Sequence, residues 1–428
     1  MKHVRSSKKF WSDSLLSVVD QGVLSALNFL IGISLIRLAT KETYGLYVQL
    51  YAGGLFVVTL LDAWIGGPLT TVASGVASEL RLHLQHYYWR QQLLVSLAFS
   101  LFVIPVVVLA IGSGASGYTS AWLIAVSFSS YLMATGLREY CRTVGFIEHQ
   151  IRTIFKQDVA YVLLVVIGFG ILYRYFSINL VAIFSVLALA SVTSSAPKMW
   201  YLHAHYSSSM DEHVQINRDK LSAHAKWALP GALMAWLSNY SYVYLSGLWL
   251  GVLATAELNA ARLLLMPIPL AVVAWSRIAR PTAGRLIAEK NWSGLNRLTL
   301  FSILTIELVI FGYVGCLLLA LPWLEHHVLG PQYAGLQPLI WIWGVYFAVN
   351  SARWIGTVWL TSGGAFRALL FMGGSALALV LVISTWAIPH WGRVGAIITL
   401  IVIELYQLVV VWRVILPKLR HTRIVEGV

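Results

Sequence analysis

FLIGISLIRLATKE (residues 29–42) and YLSGLWLGVLATAE (residues 244–257) are two versions of one phrase, 215 positions apart. Seven of the thirteen positions from Leu30 to Glu42 recur at that offset: Leu30, Gly32, Leu35, Leu38, Ala39, Thr40 and Glu42. In text this rich in Leu, Val and Ala, roughly one match in thirteen is expected of an unrelated pairing, so the phrase marks an internal repeat. Arginines carry the register further. Arg138 and Arg152 stand fourteen apart, as do Arg353 and Arg367, and the second pair lies 215 beyond the first.

The composition around the repeat sets the fold class. The chain has 428 residues, 58% hydrophobic and only 11% charged, with a mean hydropathy of +0.75. Soluble domains carry about 25% charged residues, so this is the composition of a polytopic membrane protein. A helix needs about 20 mostly apolar residues to cross a bilayer, because its backbone must satisfy its own hydrogen bonds. Long apolar stretches recur here, not short alternating ones, so helices are predicted and a β-barrel is not. Twelve spans are expected, near 14–37, 46–75, 92–112, 120–145, 155–175, 178–200, 225–250, 257–283, 297–321, 336–360, 366–388 and 393–415. The first apolar run is too long for a signal peptide and holds Asp20 and Asn28, so it reads as an anchored helix.

Each repeat then holds six spans, an even number, so both halves enter and leave on the same side. The expectation is two six-helix bundles related by a pseudo-two-fold axis along the membrane normal. The corresponding organisation is an N-terminal lobe at 1–200, a cytoplasmic linker at 201–222 and a C-terminal lobe at 223–428. A formal net charge of +13 invites a nucleic-acid reading, which the distribution of charge removes. Of 30 Lys and Arg, only Arg37, Lys41, Arg174, Arg262 and Arg393 fall on the side opposite the N-terminus. That bias is the positive-inside rule, and it places both termini in the cytoplasm. Cys141 and Cys316 imply no disulfide framework.

Several stretches resemble one known family. RLATKETYGLYVQL (37–50) is similar to the first turn and second helix of bacterial polysaccharide flippases, with its Arg, acidic turn and Tyr-Gly-Leu-Tyr. LLDAWIGGPLTTVASG (60–75), ELNAARLLLMPIPLAV (257–272), RPTAGRLIAEKNW (280–292) and GPQYAGLQPLIWIWG (330–344) resemble other parts of the same proteins. These belong to the polysaccharide and O-antigen branch of the multidrug, oligosaccharidyl-lipid and polysaccharide exporter superfamily. The resemblance implies a flippase of the bacterial inner membrane that carries an undecaprenyl-pyrophosphate-linked oligosaccharide between leaflets for O-antigen or other surface polysaccharide. It implies membrane lipid as surroundings, a polysaccharide polymerase and a chain-length regulator as partners, no cofactor and no enzymatic step. A cation-coupled multidrug exporter of the same superfamily and a membrane enzyme acting on polyprenyl-linked sugars are the alternatives. The longest outer segment, PWLEHHVLGPQYAG, is short for an enzyme site.

The family's cavity lies between its halves, lined by helices 1, 2, 7 and 8, which directs attention to polar residues there. Ser17, Asp20, Gln21, Leu24 and Asn28 fall on one face of the first span. A mid-membrane acid usually faces the bundle interior, so Asp20 is either a cavity residue or a structural hydrogen-bond partner. Trp236, Asn239 and Tyr240 in the seventh span offer aromatic faces with a polar edge, suited to sugar rings, although most membrane aromatics merely pack. Arg37, Arg262 and Arg353 are candidate partners of the pyrophosphate, or else anchors of helix ends or of acids. No Lys or Arg lies between residues 10 and 36, which departs from the more cationic cavities of the family. Asp20, Glu307 and Glu404 are candidates for ion coupling, or for salt bridges between helices. Asp62 reads as a buried structural acid, and the Pro267–Pro269 pair as a bend. The His pairs lack converging acids or cysteines, so no metal site is expected.

Overall fold

A computed structural model describes residues 7–73, 75–112, 118–204, 212–363 and 365–425. The residues before Ser7, residues 205–211 of the expected linker, and the side chains of Trp11, Trp227 and Arg367 lie outside that description. The described residues are helical almost throughout, as a chain that must satisfy every backbone donor away from water requires.

The first half contains α1 (Ser7–Leu38), α2 (Lys41–Leu61), α3 (Ser78–Gly112), α4 (Tyr118–Ile147), α5 (Ile151–Tyr175) and α6 (Leu180–Ala204). A π-turn at Asp62–Gly66 and a short helix at Gly67–Ala73 prolong α2. The second half contains α7 (Glu212–Leu250), α8 (Val252–Leu264), α9 (Pro267–Ala288), α10 (Trp292–Leu324), α11 (Gln337–Ser362) and α12 (Phe366–Val409), with a terminal α13 (Leu416–Val425). Two features bring this half to six spans. The α8 and α9 helices meet at a bend of 48° and together have the length and hydropathy of one span, with Pro267 opening α9 where no helical donor is lost. Conversely, α12 is two helices, broken at Gly392, whose φ of 58° lies in the left-handed region. Among the described residues, helices therefore cover each of the twelve stretches that the hydropathy marked.

Among the described residues, eight helices, or nine with the bent pair, are long and apolar enough to cross a membrane by themselves. One of these, Ala368–His421, has the length of two. Polar and aromatic residues dilute α7 and α11, which is why these two fall below the rest. Helix starts follow ordinary capping. Thr40 Oγ1 accepts from Thr43 N at 3.1 Å before α2, Asn179 Oδ1 from Ala182 N at 2.9 Å before α6, and Asn291 Oδ1 from Gly294 N at 2.9 Å before α10.

The repeat survives unevenly in the backbone. The turn from α4 to α5 runs from Ile147 to Ile151, and the turn from α11 to α12 from Ser362 to Phe366. Both ends are displaced by the sequence offset. The LATKE phrase makes a turn between α1 and α2, whereas LATAE lies within α8, because the chain has already turned at Gly251 with φ of 82°. Thr40 caps a helix, while Thr255 is buried and donates to Val243 O at 3.3 Å.

The chain forms two compact units. One comprises Met1–Ile31 and Leu50–Leu233; the other comprises Gly32–Gln49 and Met234–Val428. The end of α1 and the start of α2 thus belong with the second unit. Gln332 Nε2 donates to Ile36 O at 2.8 Å and Ala39 O at 3.1 Å, and Lys41 Nζ to Glu257 Oε1 at 2.6 Å. Gly45 lies so near Val252 O that a Cβ would strike that carbonyl. The first unit's core gathers Ile65, Leu84, Trp89, Tyr140, Val144 and Leu202. The second buries Trp343 and Trp359 completely.

Candidate functional site

The candidate residues fall in both units, and each set is described within its own. In the second unit, Trp236, Tyr240 and Tyr244 recur every four residues on α7 and form one row. The rings of Trp236 and Tyr240 stack, with centroids 5.9 Å apart and planes 27° apart. Tyr244 lies 5.6 Å from Trp236, and its hydroxyl donates to Gln49 O at 2.9 Å. Trp236 and Tyr240 are half-buried, while Tyr244 and Asn239 are exposed. Asn239 donates to Ala235 O at 2.8 Å, leaving its amide oxygen outward.

Arg262 on α8 stands beside Tyr240, the middle ring of this row. Its guanidinium carbon lies 5.9 Å from the Tyr240 ring, 5.3 Å from Tyr242 and 5.4 Å from Trp343. Nη1 donates to the Tyr242 hydroxyl at 2.8 Å, which donates in turn to Asn259 Oδ1 at 2.8 Å. Trp343 is held by a bond from its Nε1 to Leu258 O at 3.1 Å. No carboxylate pairs with Arg262 among the described residues, and its Nε is buried without a partner. Arginine cannot shed its charge. Cation–π contacts of about 0.5–2 kcal/mol each support the cation but leave donors free for an anion.

The other arginines named from the sequence are differently placed. Arg37 is exposed beside Gly330. Arg353 is committed to Glu404, with Nε to Oε2 at 2.5 Å and Nη2 to Oε1 at 3.4 Å. Both side chains of that pair are only 11% exposed. Glu307 accepts from Ser351 Oγ at 2.8 Å, and its other oxygen is buried without a partner among the described residues. Glu257, which the sequence reading passed over, accepts from both Lys41 and Arg393.

In the first unit the expected polar stripe divides. Asp20 is 3% exposed, whereas Gln21 and Asn28 are exposed. Asp20 Oδ2 meets Arg142 Nη2 at 3.3 Å in an ionic cluster built mainly by α4 and α5. Arg142 also binds Glu139 at 2.6 Å and Asp158 at 2.8 Å. Arg138 binds Asp158 at 2.6 Å and Glu139 at 3.2 Å and lies 3.9 Å from the Tyr161 ring. Three carboxylates thus share two arginines. Sequence reasoning missed Glu139, Arg142 and Asp158; the signal was there, since ionisable residues spaced at i, i+1 and i+4 on an apolar helix demand partners. Asp62, expected to be buried, is exposed at the mouth of a small cleft lined also by Gln92, Gly136, Glu139, Tyr140 and Thr143.

No protein-family model matches the chain, and no curated protein sequence matches it significantly. Solved structures do. An inward-facing multidrug resistance MATE family transporter of the MOP superfamily aligns with a TM-score of 0.73 at 12% identity, over 92% of this chain and 95% of that one. The lipid II flippase MurJ, in an inward closed conformation, aligns with a TM-score of 0.74 at 8% identity, over 96% and 91%. A MOP superfamily transporter from Pyrococcus furiosus, described by the reverse polarity of its binding pocket, gives 0.65 at 13% identity, over 96% and 94%. At these identities the likeness establishes the fold, which is shared nearly end to end with these transporters and this flippase.

Proposed function

We propose that the protein is a flippase for a lipid-linked oligosaccharide, of the undecaprenyl-pyrophosphate class. It moves the sugar-bearing end from the cytoplasmic to the outer leaflet of a bacterial inner membrane by alternating access, with both termini cytoplasmic. No bond is made or broken. The observation that carries this reading is the juxtaposition of an unpaired cation, Arg262, with the half-exposed row of Trp236, Tyr240 and Tyr244. A pyrophosphate needs a charged donor with hydrogen bonds to spare, and sugar rings present C–H faces to flat aromatics while their hydroxyls seek polar edges. A drug cation would be repelled by Arg262. The fold of MurJ supports a lipid-linked cargo; the fold of the MATE transporters supports a second reading, a multidrug exporter, in which the carboxylates of the first unit exchange a cation.

Purified protein in vesicles loaded with a fluorescent undecaprenyl-pyrophosphate oligosaccharide tests the proposal. Flipping is read as the fraction of lipid that an impermeant quencher or sugar oxidase reaches with time. Protein-dependent flipping that falls about tenfold or more in Arg262→Ala is expected, the loss of one charge-assisted pair to a phosphate. Vesicles that flip no faster than protein-free ones, while cells expressing the protein lower their ethidium accumulation, would replace this reading with the exporter.

A further inference from the structure

Along α3, Gln85, Trp89, Gln92, Ser96 and Ser100 follow one another at intervals of four, three, four and four residues, the spacing of a single helix face. All five are buried, with exposures of 0%, 4%, 3%, 1% and 5%. The face meets α4. The Tyr140 hydroxyl donates to Gln85 O at 2.6 Å, the Trp89 and Tyr140 rings lie 5.8 Å apart, and Ser129 Oγ donates to Ser100 O at 2.8 Å. Gln92 Nε2 donates to Gly136 O at 3.0 Å and to Ser96 Oγ at 3.2 Å. The remaining groups are unsatisfied. Both amide atoms of Gln85, the indole Nε1 of Trp89 and the hydroxyl of Ser100 have no hydrogen-bond partner among the described residues.

Four such atoms on one seam are not a scatter of surface groups. Buried polar atoms are nearly always paired, with protein or with ordered water. A buried water binds where it finds two to four polar partners and a little room. Gln85 supplies a donor and an acceptor side by side, Trp89 a donor one turn on, and Ser100 both roles. Midway, Gln92 also lines the cleft that holds Asp62 and Glu139, so the seam meets the cleft at that residue. The groups facing that junction are Asp62, Glu139 and Tyr140, with Arg138 and Arg142 behind Glu139.

We propose that the α3–α4 seam is a string of water-binding sites that opens into the Asp62–Glu139 cleft and keeps the ionic cluster of the first unit in contact with solvent. Its ligand is water, and water hydrogen-bonded in series also passes protons. The first unit thereby gains a hydrated path to Glu139, whose partner Arg142 also holds Asp20 and Asp158. This holds whatever molecule the protein transports.

Radiolytic hydroxyl labelling of the whole protein in lipid nanodiscs tests the seam, since radicals form on waters held inside a protein as well as outside it. The internal standards are Trp343 and Trp359. Both are fully buried, and their indole nitrogens are satisfied by Leu258 O and Thr299 Oγ1. Trp89 is expected to be oxidised about ten times faster than either, as a side chain touching bound water should be beside one in a dry core. Gln85→Leu, which removes two of the water's partners, should bring Trp89 close to the standards; Gln92→Leu serves if that variant does not fold. Labelling of Trp89 at the rate of Trp343 and Trp359 in the unaltered protein would overturn the proposal, as would full Trp89 labelling in a folded Gln85→Leu protein.

Discussion

Arg138 and Arg353 occupy the same position in the two repeats, and both are buried ion-pair donors, yet their acids do not correspond. Arg138 pairs with Asp158 on the next helix; Arg353 pairs with Glu404 beyond the Gly392 break. The position 215 past Asp158 is Gly373, and the position 215 before Glu404 is Leu189. The need for a partner was inherited, because a buried guanidinium cannot neutralise itself, but each half met it independently. Removing one member of such a pair strands the other. Glu404→Gln is therefore expected to destabilise the protein by about 3–5 kcal/mol, seen as a fall in thermal unfolding temperature, while Arg353→Met with Glu404→Leu recovers most of the loss. Arg262 behaves in the opposite way. It has no acid to strand among the described residues, so Arg262→Gln forfeits its ring contacts and its bond to Tyr242 and should lower the unfolding temperature less than Glu404→Gln does, while reducing oligosaccharide flipping. The sequence marked Arg262, Trp236 and Tyr240 as polar interruptions of apolar spans, and the structure brings them together. It could not show which arginines were already occupied, since the acids that occupy Arg353 and Arg138 come from other helices at no fixed spacing.

At the scale of helices, turns were more legible than the duplicated phrase that revealed the repeat. The twelve apolar spans, the bend at Pro267 and the break before Arg393 follow from hydropathy and from residues that cannot continue a helix. LATKE and LATAE share letters but not conformation, because Gly251 admits a left-handed turn that Ile36, its counterpart, does not. Periodicity also failed to resolve the α1 stripe, since Asp20 and Gln21 are neighbours in sequence and diverge by a hundred degrees around the helix. Two glycines set limits that a substitution would expose. Gly392 has φ 58° and ψ −137°, a region closed to side chains, so Gly392→Ala should cost about 1–3 kcal/mol in unfolding experiments. At Gly45 the obstacle is a backbone carbonyl, that of Val252. Gly45→Val should be worse tolerated than Gly22→Val, where nothing lies within 4 Å, and the yield of folded protein after detergent extraction would show the difference.

For the whole molecule, charge and connectivity carry separate information. The bias of Lys and Arg toward one set of loops predicts orientation. A reporter fused after Val428 should be active only as a cytoplasmic enzyme, and one inserted beside Pro331 only as an exported enzyme; the reverse result would invert the topology. Two bundles of six were readable from the offset because each half repeats its spans in order. The assignment of residues 32–49 to the second unit was not, because it depends on contacts such as Lys41 with Glu257 and Gln332 with the carbonyls ending α1. Those contacts have a practical corollary for dissection. The C-terminal bundle is not a contiguous stretch of gene, and a fragment starting at Met234 would leave Glu257 without Lys41 and Gln332 without its acceptors. A self-sufficient miniature would have to graft the helical hairpin 32–49 ahead of Met234, with a tether able to run from Gln49, which meets Tyr244, back along about 15 Å of α7 to Met234.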